Sequence, residues 1–213
     1  MLAIAERYDV LVTIGKSGSF TLNAVALGTT RQVAGVLHTA GASKKPSPGM
    51  PAWRGRAGGS ADYASLRSPY PTVLPDGPIK TFDIELGGDM DRYLWSMAGE
   101  YYPELFVPEG DAGPLRINYG DRVRVRFTNS TMMYHPMHLH GVFMELQNGA
   151  HPAFAPRKHT VIVPPNQTVE AHLTYEDPGP WAFHCHLLFH MMTGMFARFE
   201  VAPAVTADES TLP

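Results

Sequence analysis

Six of the ten histidines in this 213-residue chain fall in two short segments. HPMHLHG carries His135, His138 and His140, and HCHLLFHMMTGM carries His184, His186 and His190 together with Cys185 and Met195. Imidazole, thiolate and thioether side by side form the donor set of a blue copper centre, which takes two His, one Cys and a weak axial Met. No other common metal asks for that mixture. The scattered histidines read as structural: His159 and His172 alternate with apolar neighbours, and His38 and His151 sit near loops.

Spacing sorts the donors. On a strand, successive side chains point to opposite faces, so His184 and His186 share one side while Cys185 takes the other. On the cysteine side the turn that follows brings back His190 and Met195, and His135 completes a two-His, one-Cys, one-Met set. On the opposite side His138 and His140, again two apart, meet His184 and His186 and offer four imidazoles to a second copper site. Zinc is the rival occupant of that second set. The Cys185 backbone gives electrons a short covalent route between the two sites. Electrons are expected to enter near His190 or His135, whose ring edges should lie nearest the surface. Met132, Met133, Met137, Met144, Met191 and Met192 crowd the same region; thioethers suit Cu(I), but gap-filling packing is the preferred reading.

The elements that must hold these residues are strands. Nineteen prolines and twenty glycines cut the chain into short pieces rich in Val, Ile, Phe, Tyr and Thr with period-two alternation. The pattern is clearest at 122–127, where three arginines alternate with Val123, Val125 and Phe127. Further strands are expected at 8–14, 19–27, 80–86, 158–163, 168–175 and 195–201, and no segment holds a helical period. An ion pair between Asp91 and Arg92 is expected to fix a strand start. Composition turns to Gly, Pro, Ser and Ala between 41 and 77, which reads as a linker. The expected organisation is therefore a β segment at 1–40, a linker at 41–77, one β domain at 78–203 and a tail at 204–213.

The two copper motifs, with GGDMDRYLWSM, TMMYHPMHLHG and RKHTVIV around them, resemble the C-terminal signatures of multicopper oxidases, most closely the copper-resistance branch. The resemblance covers about 78–202, and 7–40 is similar to the closing strands of a preceding domain. It implies a Greek-key cupredoxin β-sandwich or barrel. It assigns His135, Cys185, His190 and Met195 to the type 1 copper, His138 to the type 2 copper, and His140, His184 and His186 to the type 3 pair. The implied activity is one-electron oxidation of phenols, aromatic amines or cuprous ions at the type 1 copper, with O2 reduced at a trinuclear site. Cys185, His190 and His135 carry the electron path. The axial Met195 favours metal or mediator oxidation over strong phenol oxidation. A trinuclear site in this family takes eight histidines, four from each of two domains, and only two His-X-His motifs stand here. Either the chain is a fragment of a longer protein, or an N-terminal partner or a second copy supplies the other half, or the chain is an electron-transfer or copper-binding module. Phe189 stands where some relatives carry an acid, so no proton donor is assigned.

Composition excludes several other classes. A net charge of -3 with mixed placement of charge leaves no basic face for nucleic acid and no polybasic membrane anchor. No cofactor beyond the metal is expected. One cysteine excludes an internal disulfide. The first residues, MLAIAERYDVLV, are read as lacking an export leader, whereas the family resemblance implies a periplasmic or secreted location. Asn129-Ser130-Thr131 and Asn166-Gln167-Thr168 match the glycosylation pattern and carry no weight without such a leader.

Overall fold

Alternating side chains build the sheets, and the described residues are 2–45, 49, 62–72, 74–102 and 115–204 of a computed structural model. Contacts divide the chain into two units, one of Tyr8–Ser60 and one of Met1–Arg7 with Ala61–Pro213. These divisions do not coincide with the expected boundaries at 40 and 77. Residues 2–7 lie with the second unit because the Glu6 carboxylate pairs with Lys158 at 2.6 Å and accepts from the Tyr63 hydroxyl at 2.7 Å. Residues 62–72, expected to be linker, are bonded to that unit too: Ser68 N–H donates to Phe154 O and Thr72 N–H to Ala153 O. The expected tail lies outside the described residues except for Ala204.

In the first unit, β1 (Ser19–Val25) and β2 (Gln32–His38) form an antiparallel hairpin. The strand expected at 8–14 does not form. Among the described residues no segment pairs with it, and a strand is stable only when its backbone groups find a ladder. Val10, Leu11 and Val12 are exposed.

The second unit runs β3 (Ile79–Asp89), β4 (Leu94–Met97), β5 (Leu115–Asn118), β6 (Arg122–Asn129), β7 (His135–Leu139), β8 (Met144–Leu146), β9 (Arg157–Lys158), β10 (Thr160–Val163), β11 (Thr168–Leu173), β12 (Gly179–Cys185), the five-residue helix α1 (Leu188–Met192) and β13 (Phe196–Ala202). The strands make a five-stranded sheet in the order β10-β7-β12-β13-β5 and a six-stranded sheet in the order β4-β3-β6-β11-β8-β9. The chain passes between the sheets at most connections, the path of a Greek key. In β6, Val123, Val125 and Phe127 are fully buried between the sheets while the arginines face out. Phe127 on Phe183 and Phe82 on Phe199, both with ring centroids 5.5 Å apart, join one sheet to the other. Each such side chain contributes about 1.5–3 kcal/mol when fully buried.

The strand expected over 158–163 is interrupted at His159. There the chain changes sheets, because β9 pairs with β8 and β10 pairs with β7. The expected Asp91–Arg92 ion pair is absent among the described residues. The Asp89 carboxylate instead accepts from the backbone N–H of both, each at 3.0 Å, and closes the β3–β4 turn. No helix among the described residues is long and apolar enough to cross a membrane.

Candidate metal centre

The pleat of β12 separates two donor sets. Cys185 lies opposite Met137 of β7 and His184 opposite His138 in the same ladder. His135, Met137 and Leu139 share one face of β7 and are buried. His138 takes the other face, and His140 follows it beyond the strand end at the same parity.

On the buried face, His135, Cys185 and His190 converge. Cys185 Sγ is 3.8 Å from the Nδ1 atoms of both His135 and His190, and those nitrogens are 3.2 Å apart. A triangle of that size holds an ion about 2.1 Å from each corner, the usual length of a metal–imidazole bond. Met195 is fully buried, and its backbone is tied to both neighbours: its carbonyl accepts from Cys185 N–H at 3.1 Å and its N–H donates to His190 O at 2.9 Å. The tight turn between α1 and β13 that permits this uses Gly194 at φ 130°.

The donor atoms have lone pairs to give. The Thr131 hydroxyl donates its single proton to Asn129 Oδ1 at 2.8 Å and therefore accepts from His135 Nε2–H, also at 2.8 Å. That bond fixes the tautomer and leaves Nδ1 bare toward Cys185, as a metal ligand requires. The His138 Nδ1–H donates to His159 O at 2.7 Å, so its Nε2 is free. Likewise His184 Nδ1–H donates to Cys185 O at 3.0 Å, and its Nε2 faces His140 Nε2 at 3.1 Å.

On the outer face, His138, His140 and His184 bring three ligand atoms within 4.8 Å of one another. His186 stands at the margin of this set, its ring centroid 5.5 Å from His138 and 5.6 Å from His184. Its Nδ1 is buried without a hydrogen-bond partner, a donor or acceptor still awaiting its function. A cavity of about 560 Å³, whose lining includes His138, His140, Glu145, Arg157 and His159, opens beside the cluster.

Electrostatics keep the buried set uncharged. Burial, helped by the facing His190, holds the His135 imidazole down to about 3, and burial holds His190 down to about 4. Burial pushes the Cys185 thiol up to about 12, against a downward pull from the Leu187 backbone. A cation entering this pocket meets two neutral imidazoles and a thiol whose proton it must displace.

Of the two edges expected near the surface, His135 is fully buried, whereas His190 is 4% exposed under a cover that includes Trp95 and its Nε2 is not among the buried nitrogens without a partner. Thr131, Asn129 and Trp95, which hold the site from behind, escape a reading based on ligand types. The thioethers divide: Met137 and Met144 are core, whereas Met132 and Met192 are largely exposed. His159 serves through its carbonyl, and His172 joins a surface network with Glu170 and Arg124.

A β-sandwich with a buried Cys-His-His triangle on one face of a strand and an imidazole cluster on the other defines a copper protein of the cupredoxin class. The sequence pattern of the multicopper oxidase family matches residues 81–205, and the chain belongs to that family. It is 42% identical over 143 residues to a copper resistance protein A homolog of Pseudomonas syringae pv. tomato, covering 65% of this chain and 22% of that protein. It is 36% identical over 205 residues to the multicopper oxidase MmcO of Mycobacterium tuberculosis, covering 94% of this chain and 38% of that one. Among solved structures, the McoA multicopper oxidase of Aquifex aeolicus matches with a TM-score of 0.50 at 27% identity, over 62% of this chain and 31% of that chain. A multicopper oxidase from Campylobacter jejuni shares the fold, with a TM-score of 0.58 at 17% identity over 89% of this chain and 42% of its own. The chain thus spans well under half the length of these relatives.

Proposed function

We propose that this chain is the C-terminal copper domain of a laccase-like oxidoreductase of the copper-resistance kind, with residues 8–40 closing the domain before it. His135, Cys185, His190 and Met195 hold a type 1 copper, His138 a type 2 copper, and His140, His184 and His186 the type 3 pair. Copper bound there supplies one-electron chemistry, taking electrons singly from a phenol, an aromatic amine or a cuprous ion and delivering them to O2. The observation that carries the reading is the position of Cys185, buried on one face of β12 between two histidines that belong to the other.

The residues around the site do the remaining work. Thr131 and Asn129 hold His135 in its ligand tautomer. The buried walls keep water from the thiolate. The dipeptide Cys185-His186 and its mirror His184-Cys185 link the two faces by covalent bonds. A periplasmic or secreted location goes with this reading.

Only four candidate imidazole ligands stand on the outer face among the described residues, and that favours a second reading: an electron-transfer or copper-binding module whose oxygen chemistry waits for a partner chain or a second copy. Copper titration with visible absorption and oxygen uptake tests both. The oxidase reading expects an intense copper–thiolate band with one copper per chain in the buried site, and oxygen uptake from a reducing dye once four further imidazoles are supplied by a first-domain partner. A blue chain that stays inert to oxygen with that partner supports the module instead. Absence of the thiolate band, with zinc binding preferred, overturns the copper assignment.

A further inference from the structure

Three histidines of the two clusters are oriented by hydrogen bonds to their far ring nitrogens: His135 through Thr131, His138 through His159 O and His184 through Cys185 O. His140, His186 and His190 have no such bond, and of these His190 alone belongs to the buried set. Its Nδ1 faces Cys185 and His135, while its Nε2 meets no partner among the described residues. It rides on α1, only five residues long and without a side-chain cap. What lies against its ring is Trp95, with centroids 3.8 Å apart and planes 22° apart. The same indole meets His135 edge-on at 5.3 Å.

The surroundings of Trp95 are shaped to hold that ring. It comes from β4, at the far edge of the six-stranded sheet, and its N–H donates to Thr193 O in the turn after α1. Opposite it in the β3–β4 ladder is Gly88, where a Cβ would fall 2.5 Å from the indole. The residue is 2% exposed, yet its Nε1–H is buried with no acceptor, a cost that a phenyl ring would not carry.

We propose that Trp95 is a positioning residue for the buried metal site, its indole replacing by stacking the hydrogen bond that His190 lacks. The proposal rests on the reading of His135, Cys185 and His190 as a copper site. Turning the imidazole away from Cys185 requires breaking the stack, so the ring waits in its ligand pose before any metal arrives. The electron-rich indole face also attracts the positive charge that the imidazole gains when it binds a cation.

The test uses the chain as it stands, with copper alone as the probe and a competing chelator to measure affinity. The variants are Trp95→Leu, which fills space without a ring, Trp95→Phe, which keeps a ring, and Gly88→Ala, which displaces the indole without removing it. Circular dichroism confirms the fold of each. Trp95→Leu is expected to bind copper about 10-fold more weakly, with Trp95→Phe within about 2-fold of the parent. Gly88→Ala should move the same way as Trp95→Leu, and both should shift the thiolate absorption band and the reduction potential, which mere loss of packing elsewhere leaves unchanged. If Trp95→Leu does not fold, the Gly88→Ala and Trp95→Phe pair decides. A blue parent with variants unchanged in affinity, band and potential ends the role of Trp95 alone. A parent that takes up no copper ends the reading of the site and this inference with it.

Discussion

His184 stands directly opposite His138 across the β12–β7 ladder, and the next residue along, Cys185, stands opposite Met137 with its sulfur on the reverse face. One register thus sends neighbouring donors of β12 to opposite faces, and specific outcomes follow.

Replacing Cys185 with Ser removes the soft ligand while keeping the size of the side chain. The copper-loaded variant should lose its intense visible band, and His138, His140 and His184 should still bind metal. A band that survives the substitution refutes the ligand set; absorption and metal content measure both.

Acid should destabilise the metal-free chain. His135, His138 and His190 are held to about 3–4 in the folded state, mainly by burial, whereas the unfolded chain takes up protons near the ordinary value of 6.5. Between those limits the unfolded state binds more protons, so their contribution is fully present above about 6.5 and is lost as the pH falls toward 4. The raised thiol of Cys185 has the opposite sign: its contribution is lost as pH rises from the ordinary thiol value toward about 12. Thermal midpoints of the metal-free chain across this range should therefore fall on the acid side, and a flat profile between pH 7 and 4 contradicts the burial described.

Gly194→Ala should destabilise the second unit by at least about 2 kcal/mol, since it places a side chain at φ 130° and drives its Cβ into the Trp95 carbonyl and the Tyr101 ring. Gly35→Ala, where nothing lies within 4 Å, is the neutral control. Denaturant midpoints compare the two.

Lys158→Met should cost about 3–5 kcal/mol, because it leaves the Glu6 carboxylate buried without its cation. Substituting both partners by apolar residues should recover much of the loss. Equal destabilisation by the single and double variants would show that the charge pair is not the cause.

Strand parity was legible wherever alternation is local. The faces of Cys185 and His184, and the wet face of Arg122, Arg124 and Arg126, follow from a period of two that needs no knowledge of partners. Residues 8–14 show the limit of that logic: their apolar pattern suits a strand, but a ladder needs a second segment, and pairing is not a local property. The change of sheet at His159 is hidden for the same reason, since RKHTVIV reads as one run until two different neighbours claim its halves. Trp95 and Thr131 lie 95 and four residues from the histidines they orient only in the sense of sequence; ring stacking between a sheet edge and a short helix leaves no periodic trace, and a single hydroxyl four positions before His135 looks like any turn residue.

Because Cys185 and its neighbouring histidines face opposite sides of one strand, the path between them is set by the bonds of a dipeptide. Sheets breathe and loops wander, but a pleat does not change its length. The number of covalent bonds between sulfur and imidazole is accordingly a constant of the chain, whatever the side-chain torsions on either face, in the way a wire keeps its length while the frame around it flexes.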